Sequence, residues 1–234
     1  YLRASRRPDG ATLLLGQRAG VEEVLSGRVE EYRWRSGSVE RVEGTALPKG
    51  AGIFGLAPAP PGSPAALYAL GPDGYLYARD VRGEPLWRSA RTYGGYPPPL
   101  AEQDLGRGGT LDGQAFAEAM LAFQGRLIAV PAAGGVLLLV PRNFSDSPVV
   151  LTRLRSLGKG EIVLLEGLPA AASLEEAGKS RAFDGYVSDF GRADVDGDGS
   201  AEILFLVNRS AGPLLGERGK LVAWRPAQQH SGAK

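Results

Sequence analysis

A glycine or proline interrupts this chain about every four to five residues, with 34 glycines and 17 prolines among 234 positions. In a helix interior glycine costs roughly 1 kcal/mol and proline roughly 3 kcal/mol relative to alanine, so helices of ordinary length have little room. The segments between the interruptions are short and apolar. At 43% hydrophobic residues the chain is too apolar to stay disordered. Many short strands joined by tight turns are the expected outcome.

Composition then removes whole classes of chemistry. Cysteine is absent, which excludes disulfides, thiolate nucleophiles, zinc-thiolate sites and covalent haem attachment. The one histidine, His230, stands in the C-terminal stretch Ala-Gln-Gln-His-Ser-Gly-Ala-Lys. Ser-His-Asp catalysis and multi-histidine metal sites therefore have nothing to build on. The 27 basic and 26 acidic residues nearly cancel and form no long run of one sign. Neither a nucleic-acid interface nor polybasic membrane attachment is expected. The longest uncharged stretch, residues 127–140, is broken by Pro131 and Gly134-Gly135 and is too short to span a bilayer. The chain opens on Tyr1 rather than methionine, as expected of a processed chain or a fragment whose leader is already gone.

Residues 65–70, 75–79 and 85–88 are apolar or aromatic runs separated by Gly71-Pro72-Asp73-Gly74 and by residues 80–84. This pattern predicts strand, turn, strand, turn, strand. Residues 12–16, 28–34 and 39–42 predict a second antiparallel meander. Two distant segments match each other. Ile53-Phe54-Gly55-Leu56-Ala57 and Asp189-Phe190-Gly191-Arg192-Ala193 each lead into a ten-residue stretch, ending at Leu67 and Ile203, that continues as an apolar strand. Residues 127–140 read as a third copy with a shortened turn, followed by strands near 161–165 and 181–183. The pattern is an internal repeat.

Repeats of this size, built from four antiparallel strands, predict an all-β fold, a β-propeller of about four visible units that can belong to a larger ring. The units are expected near 1–46, 50–90, 122–183 and 186–226, in one domain spanning 1–226, with an insertion over 93–121 and a tail at 227–234. After the loop-like start of the insertion, residues 112–124 predict one short helix, capped by Asp112 and stopped by Gly125, that packs through Phe116, Met120 and Phe123. The last unit ends after Trp224 before a fourth strand, which the N-terminal segment is expected to supply.

One motif carries chemistry. Asp194-Val195-Asp196-Gly197-Asp198-Gly199-Ser200-Ala201-Glu202 puts three carboxylates at alternate positions and a fourth at the ninth. In a sharp loop, alternation aims the aspartates at one centre, the Ser200 carbonyl adds an oxygen and Glu202 closes the shell. Hard oxygen donors in this number suit Ca²⁺. An EF-hand needs a glutamate at its twelfth position, where Phe205 stands. The alternative is a solvated acidic turn.

The Phe-Gly opening, the acidic loop and the apolar strand after it resemble the FG-GAP or VCBS repeat, the calcium-loop blade of integrin α-subunit propellers and of many bacterial envelope proteins. The resemblance is specific over 189–207. Over 53–70 the loop keeps its length, but Pro58-Ala59-Pro60-Pro61-Gly62-Ser63-Pro64-Ala65-Ala66 replaces the ligands. It implies one Ca²⁺ site, on Asp194, Asp196, Asp198, Ser200 and Glu202. It also implies a propeller outside the cytoplasm, in the periplasm, on the cell surface or secreted, serving adhesion, assembly or scaffolding through protein partners rather than catalysis.

The alternative is a lectin-like propeller with a glycan ligand. Trp34, Trp87 and Trp224, each followed by arginine, nominate stacking surfaces, against the simpler reading that they pack between blades with the arginines over their rings. A propeller enzyme, such as a quinoprotein dehydrogenase or glycosidase, has no residues nominating its cofactor pocket or carboxylate pair. Asn143-Phe144-Ser145 and Asn208-Arg209-Ser210 fit the glycosylation sequon, and Glu175 and Glu176 read as a polar loop or short helix.

Overall fold

The structure, a computed structural model, describes residues 2–6, 12–18, 26–35, 37–42, 52–60, 62–71, 73–94, 126–132, 135–145, 157–167, 171–210 and 217–226. The short helix expected over 112–124, the tail at 227–234 and His230 lie outside the described residues. Among those residues no helix is long and apolar enough to cross a membrane.

Four antiparallel sheets follow one another as the blades of a four-bladed β-propeller. Blade 1 holds β1 (Leu2–Arg6), β2 (Thr12–Arg18), β3 (Ser26–Arg35) and β4 (Ser38–Val42) in sequence order. Blade 2 opens with a short 3₁₀ turn, Ile53–Gly55, and continues through β5 (Leu56–Pro58), β6 (Leu67–Leu70), β7 (Tyr75–Arg79) and β8 (Pro85–Thr92). Blade 3 is built from β9 (Ile128–Ala132), β10 (Gly135–Ser145), β11 (Leu157–Gly167) and β12 (Glu175–Lys179), with β13 (Phe183–Asp184) also pairing to β11. Blade 4 contains β14 (Tyr186–Ala193), β15 (Glu202–Ser210) and β16 (Glu217–Trp224).

Side-chain alternation explains how the blades stack. Along residues 136–140 of β10 and 162–165 of β11 every residue is apolar, because successive residues enter different cores. Leu138, Val140, Val163 and Leu165 pack with Tyr68, Leu70 and Leu76 of blade 2. Their sequence neighbours Leu139, Ile162 and Leu164 pack with Val187, Phe190, Ile203 and Phe205 of blade 4. Blade 1 joins blade 2 through Leu15 and Val29 against Ile53, Leu56 and Ala69. Burying a side chain of this kind contributes roughly 1.5–3 kcal/mol.

Polar contacts fix these seams. The Asn143 side chain donates to the Val187 carbonyl at 3.1 Å and accepts the Val187 N–H at 2.8 Å, tying blade 3 to blade 4. Gly160 sits beneath this bridge; a Cβ there would lie 2.5 Å from Asn143 Oδ1 and 2.7 Å from the Val187 nitrogen. Near the inner strands, the Arg3 guanidinium donates to the carbonyls of Ile53 at 2.9 Å, Phe54 at 2.6 Å and Leu56 at 2.7 Å, and to that of Leu127. One side chain of blade 1 thereby grips blade 2 and the approach to blade 3. Burial and the neighbouring Arg126 pull the Arg3 pKa down to about 10, against the opposing pull of Asp189, so it stays charged at neutral pH.

Three expectations are corrected. The N-terminal strand β1 does not complete blade 4; it pairs with β2 from Leu2↔Gly16 to Arg6↔Thr12. Glu175 and Glu176 begin strand β12 rather than a loop or helix, paired with Glu166 and Leu165. The two Phe-Gly openings also differ. Phe54-Gly55 forms the 3₁₀ turn before β5, while Phe190-Gly191 lies within β14.

Candidate metal centre

The acidic motif is the hairpin loop between β14 and β15. Its closing pair, Ala193↔Glu202, encloses residues 194–201. The loop in blade 2 is closed by Pro58↔Leu67 and encloses residues 59–66, so the two loops have equal length and only the first is acidic. Gly197 and Gly199 take φ values of 77° and 86°, a left-handed backbone that glycine adopts without steric cost. A Cβ at either position would meet no atom within 4 Å. The requirement is therefore conformational rather than one of space.

The loop wraps around Asp194, whose two oxygens accept the N–H groups of Gly197 at 2.7 Å and Gly199 at 2.9 Å. Asp196 accepts from the Asp198 N–H at 3.2 Å, and Asp198 from the Ser200 N–H at 2.8 Å. Glu202 is only 5% exposed and accepts the Val195 N–H at 3.0 Å. Each of Asp194, Asp196 and Glu202 offers an oxygen within 4.8 Å of the others. Asp198 is not in that convergent set, and Ser200 enters the network through its N–H.

The sequence did not nominate Arg225. Its guanidinium donates to Asp198 at 2.7 Å, to Asp196 at 3.1 Å and to Glu202 through Nε at 3.0 Å and through Nη2. The strand register puts it there. Trp224 pairs with Ile203, so the residue after Trp224 comes opposite the residue before Ile203, which is Glu202. The Ser200 N–H and then Arg225 hold the Asp198 carboxyl below the usual carboxylate range. For Glu202 the Val195 N–H comes first and Arg225 second. Arg225 is in turn held further toward its charged form, chiefly by Glu202 and then Asp198.

The donor set is entirely of hard oxygen, the chemistry Ca²⁺ prefers. The Arg225 guanidinium already neutralises Asp196, Asp198 and Glu202, so a metal ion would enter this set in competition with it. Asp194, Asp196 and Glu202 are the residues that would hold it. No family model, curated protein or solved structure matches the chain.

Beside the loop, Val130, Leu137, Leu139, Ile203, Arg192 and Arg225 line an open cleft of about 840 Å³. The three tryptophans lie on three different blades. Trp87 and Trp224 pack against apolar clusters, whereas Trp34 is 73% exposed. The arginines after two of them do not cover their rings: Arg88 stands 3.5 Å from the Tyr75 ring centroid, and Arg225 reaches the acidic loop. The Asn143 amide is spent between blades 3 and 4, and the Asn208 amide donates to Ser188 Oγ at 3.0 Å.

Proposed function

We propose that this chain is a calcium-stabilised, extracytoplasmic β-propeller of the FG-GAP or VCBS type, serving as a structural or protein-interaction module within a larger assembly. The convergence of Asp194, Asp196 and Glu202 at one point of the β14–β15 hairpin carries the reading. Arg225 pairs with Asp196, Asp198 and Glu202, and on this reading calcium takes its place among them. In this role the metal stiffens a hairpin and supplies no reaction chemistry. The cleft lined by Leu137, Leu139, Arg192 and Arg225 gives a partner segment both apolar contact and positive charge next to that hairpin.

The test is thermal unfolding in calcium and in excess chelator. A ligand bound only to the folded state stabilises by RT ln(1 + [L]/Kd), about 2.7 kcal/mol at 100 times Kd. At roughly 2–4 °C per kcal/mol for a domain of this size, chelation should lower the melting temperature by about 5–11 °C. An unchanged melting temperature, together with no heat on calcium titration, rejects the metal.

A further inference from the structure

The face of blade 4 that meets blade 3 changes character along its length. On β15, alternation puts Ile203, Phe205, Val207 and Arg209 on that face, and on β16 it puts Trp224, Val222 and Lys220 there, with Val207↔Lys220 in register. The apolar members join the cluster between the two blades. Arg209 and Lys220 stay exposed. From blade 3, Arg181 reaches the same place: its guanidinium lies 4.7 Å from the Phe183 ring centroid, and Phe183 meets Phe205 edge-on at 5.3 Å. The seam thus ends in an open cleft of about 440 Å³ lined by Arg181, Phe183, Asp184, Val207, Arg209 and Lys220. Arg209 stands near the opposite end of β15 from Glu202, about 24 Å away at about 3.4 Å per residue.

Charge in this cleft is unbalanced. At the seam between blades 2 and 3 the cations are matched, Arg91 with Glu176 at 3.2 Å, Lys179 with Glu161 at 4.0 Å, and Arg142 with Glu161. Among the described residues no carboxylate forms an ion pair with Arg181, Arg209 or Lys220. Asp184 is the one carboxylate at the rim, and it stands in register with Lys159. Three cations against one carboxylate leave a local excess of two positive charges, more than the +1 of the whole chain.

We propose that this cleft binds a phosphate monoester of a small, sugar-sized molecule. A monoester carries close to two negative charges at neutral pH, which matches the excess. Guanidinium groups donate in a planar fork that fits its oxygens, and an ammonium adds a point charge. The Phe183 ring holds Arg181 by a cation–π contact, so that side chain is partly ordered before a ligand arrives. The volume lies in the range of small-molecule sites, larger than a bare ion needs. Phe183 and Val207 offer the carbon skeleton an apolar wall.

The test is isothermal titration calorimetry of the 234-residue chain at neutral pH in about 0.1 M salt, where exposed charges more than about 10 Å apart are largely screened. The probes are glucose 6-phosphate, glucose 6-sulfate, inorganic phosphate and glucose. Glucose 6-phosphate should bind more tightly than inorganic phosphate and than the singly charged sulfate ester, and glucose should not bind. Arg181→Gln, Arg209→Gln and Lys220→Gln each alter an exposed side chain, so circular dichroism should be unchanged while affinity for glucose 6-phosphate falls about tenfold or more. Arg82→Gln removes the same charge from an exposed turn of blade 2 and should leave that affinity within about twofold. No binding of the phosphate ester overturns the proposal, as do equal affinity for inorganic phosphate and an Arg82→Gln loss as large as the Arg209→Gln loss. Calcium has no part in this cleft, so chelator sensitivity and ester binding can fail separately.

Discussion

Replacing Arg3 with methionine keeps a shorter unbranched apolar stem and removes the guanidinium with all its N–H donors. The carbonyls of Ile53, Phe54, Leu56 and Leu127 then lose their shared partner. An unsatisfied buried polar group costs about 1–3 kcal/mol. Arg3 is only partly buried, so water can reach some of these oxygens, and the lower end, about 1 kcal/mol each, applies. Removing a desolvated guanidinium returns part of that loss, as its lowered pKa indicates, and the net falls near 3 kcal/mol. For a domain of this size that is a drop of about 6–12 °C in melting temperature. Differential scanning calorimetry of Arg3→Met beside Arg3→Lys separates charge from shape. An ammonium cannot fork to four carbonyls on two blades, so lysine should melt no higher than methionine. A methionine variant within about 2 °C of the wild type, or a lysine variant that restores full stability, would refute the idea that this guanidinium clasps the inner strands.

Two further perturbations probe the interior. Arg142 and Glu161 form an ion pair with side chains 12% and 4% exposed, and Arg142 Nε donates to Glu161 Oε1 at 2.7 Å. Arg142→Met should cost about 3 kcal/mol, the low end for breaking a buried pair, because Lys179 stands 4.0 Å from Glu161. Arg142→Met with Glu161→Leu should recover most of the loss, seen as a restored urea midpoint at unchanged slope. Burial also raises the Tyr68 and Tyr93 hydroxyls above the usual tyrosine range. Unfolding releases protons that the folded state keeps, so stability is full below about pH 10 and falls above it. The Tyr68 hydroxyl is sealed in the core without a well-formed hydrogen bond. Tyr68→Phe should therefore be neutral or stabilising at pH 7 and should move alkaline unfolding, followed by circular dichroism, to higher pH.

The all-β propeller was legible because turn residues fall between short apolar runs at nearly every boundary. Tyr75–Arg79 forms β7 with the bounds its flanking turns set, and the acidic spacing located the β14–β15 hairpin. What stayed hidden depends on register. Nothing local distinguishes Arg225 from the arginines after Trp34 and Trp87; only the Trp224↔Ile203 pairing brings it opposite Glu202. Arg3 acts across separations of 50 to 124 residues, beyond any periodicity. Strand β12, Glu-Glu-Ala-Gly-Lys, has the composition of a loop and forms because β11 offers it an edge. Buried serines were equally silent. Ser89 in blade 2 and Ser180 in blade 3 each accept a backbone N–H of the adjoining strand, from Leu76 and Ile162, at 3.0 Å.

The two-sided packing of β10 and β11 also bears on how the molecule comes apart. Leu138 and Leu139 are covalent neighbours serving separate cores, so loss of either flanking blade leaves half of that sheet's support in place. Blades 1 and 4 each have one apolar seam among the described residues, while blades 2 and 3 have two. Opening should therefore begin at blades 1 and 4 and reach blades 2 and 3 last, each blade being as secure as the neighbours it retains. The acidic hairpin, with the Arg225 guanidinium among its carboxylates, stands on one of the two blades that have a single apolar seam among the described residues.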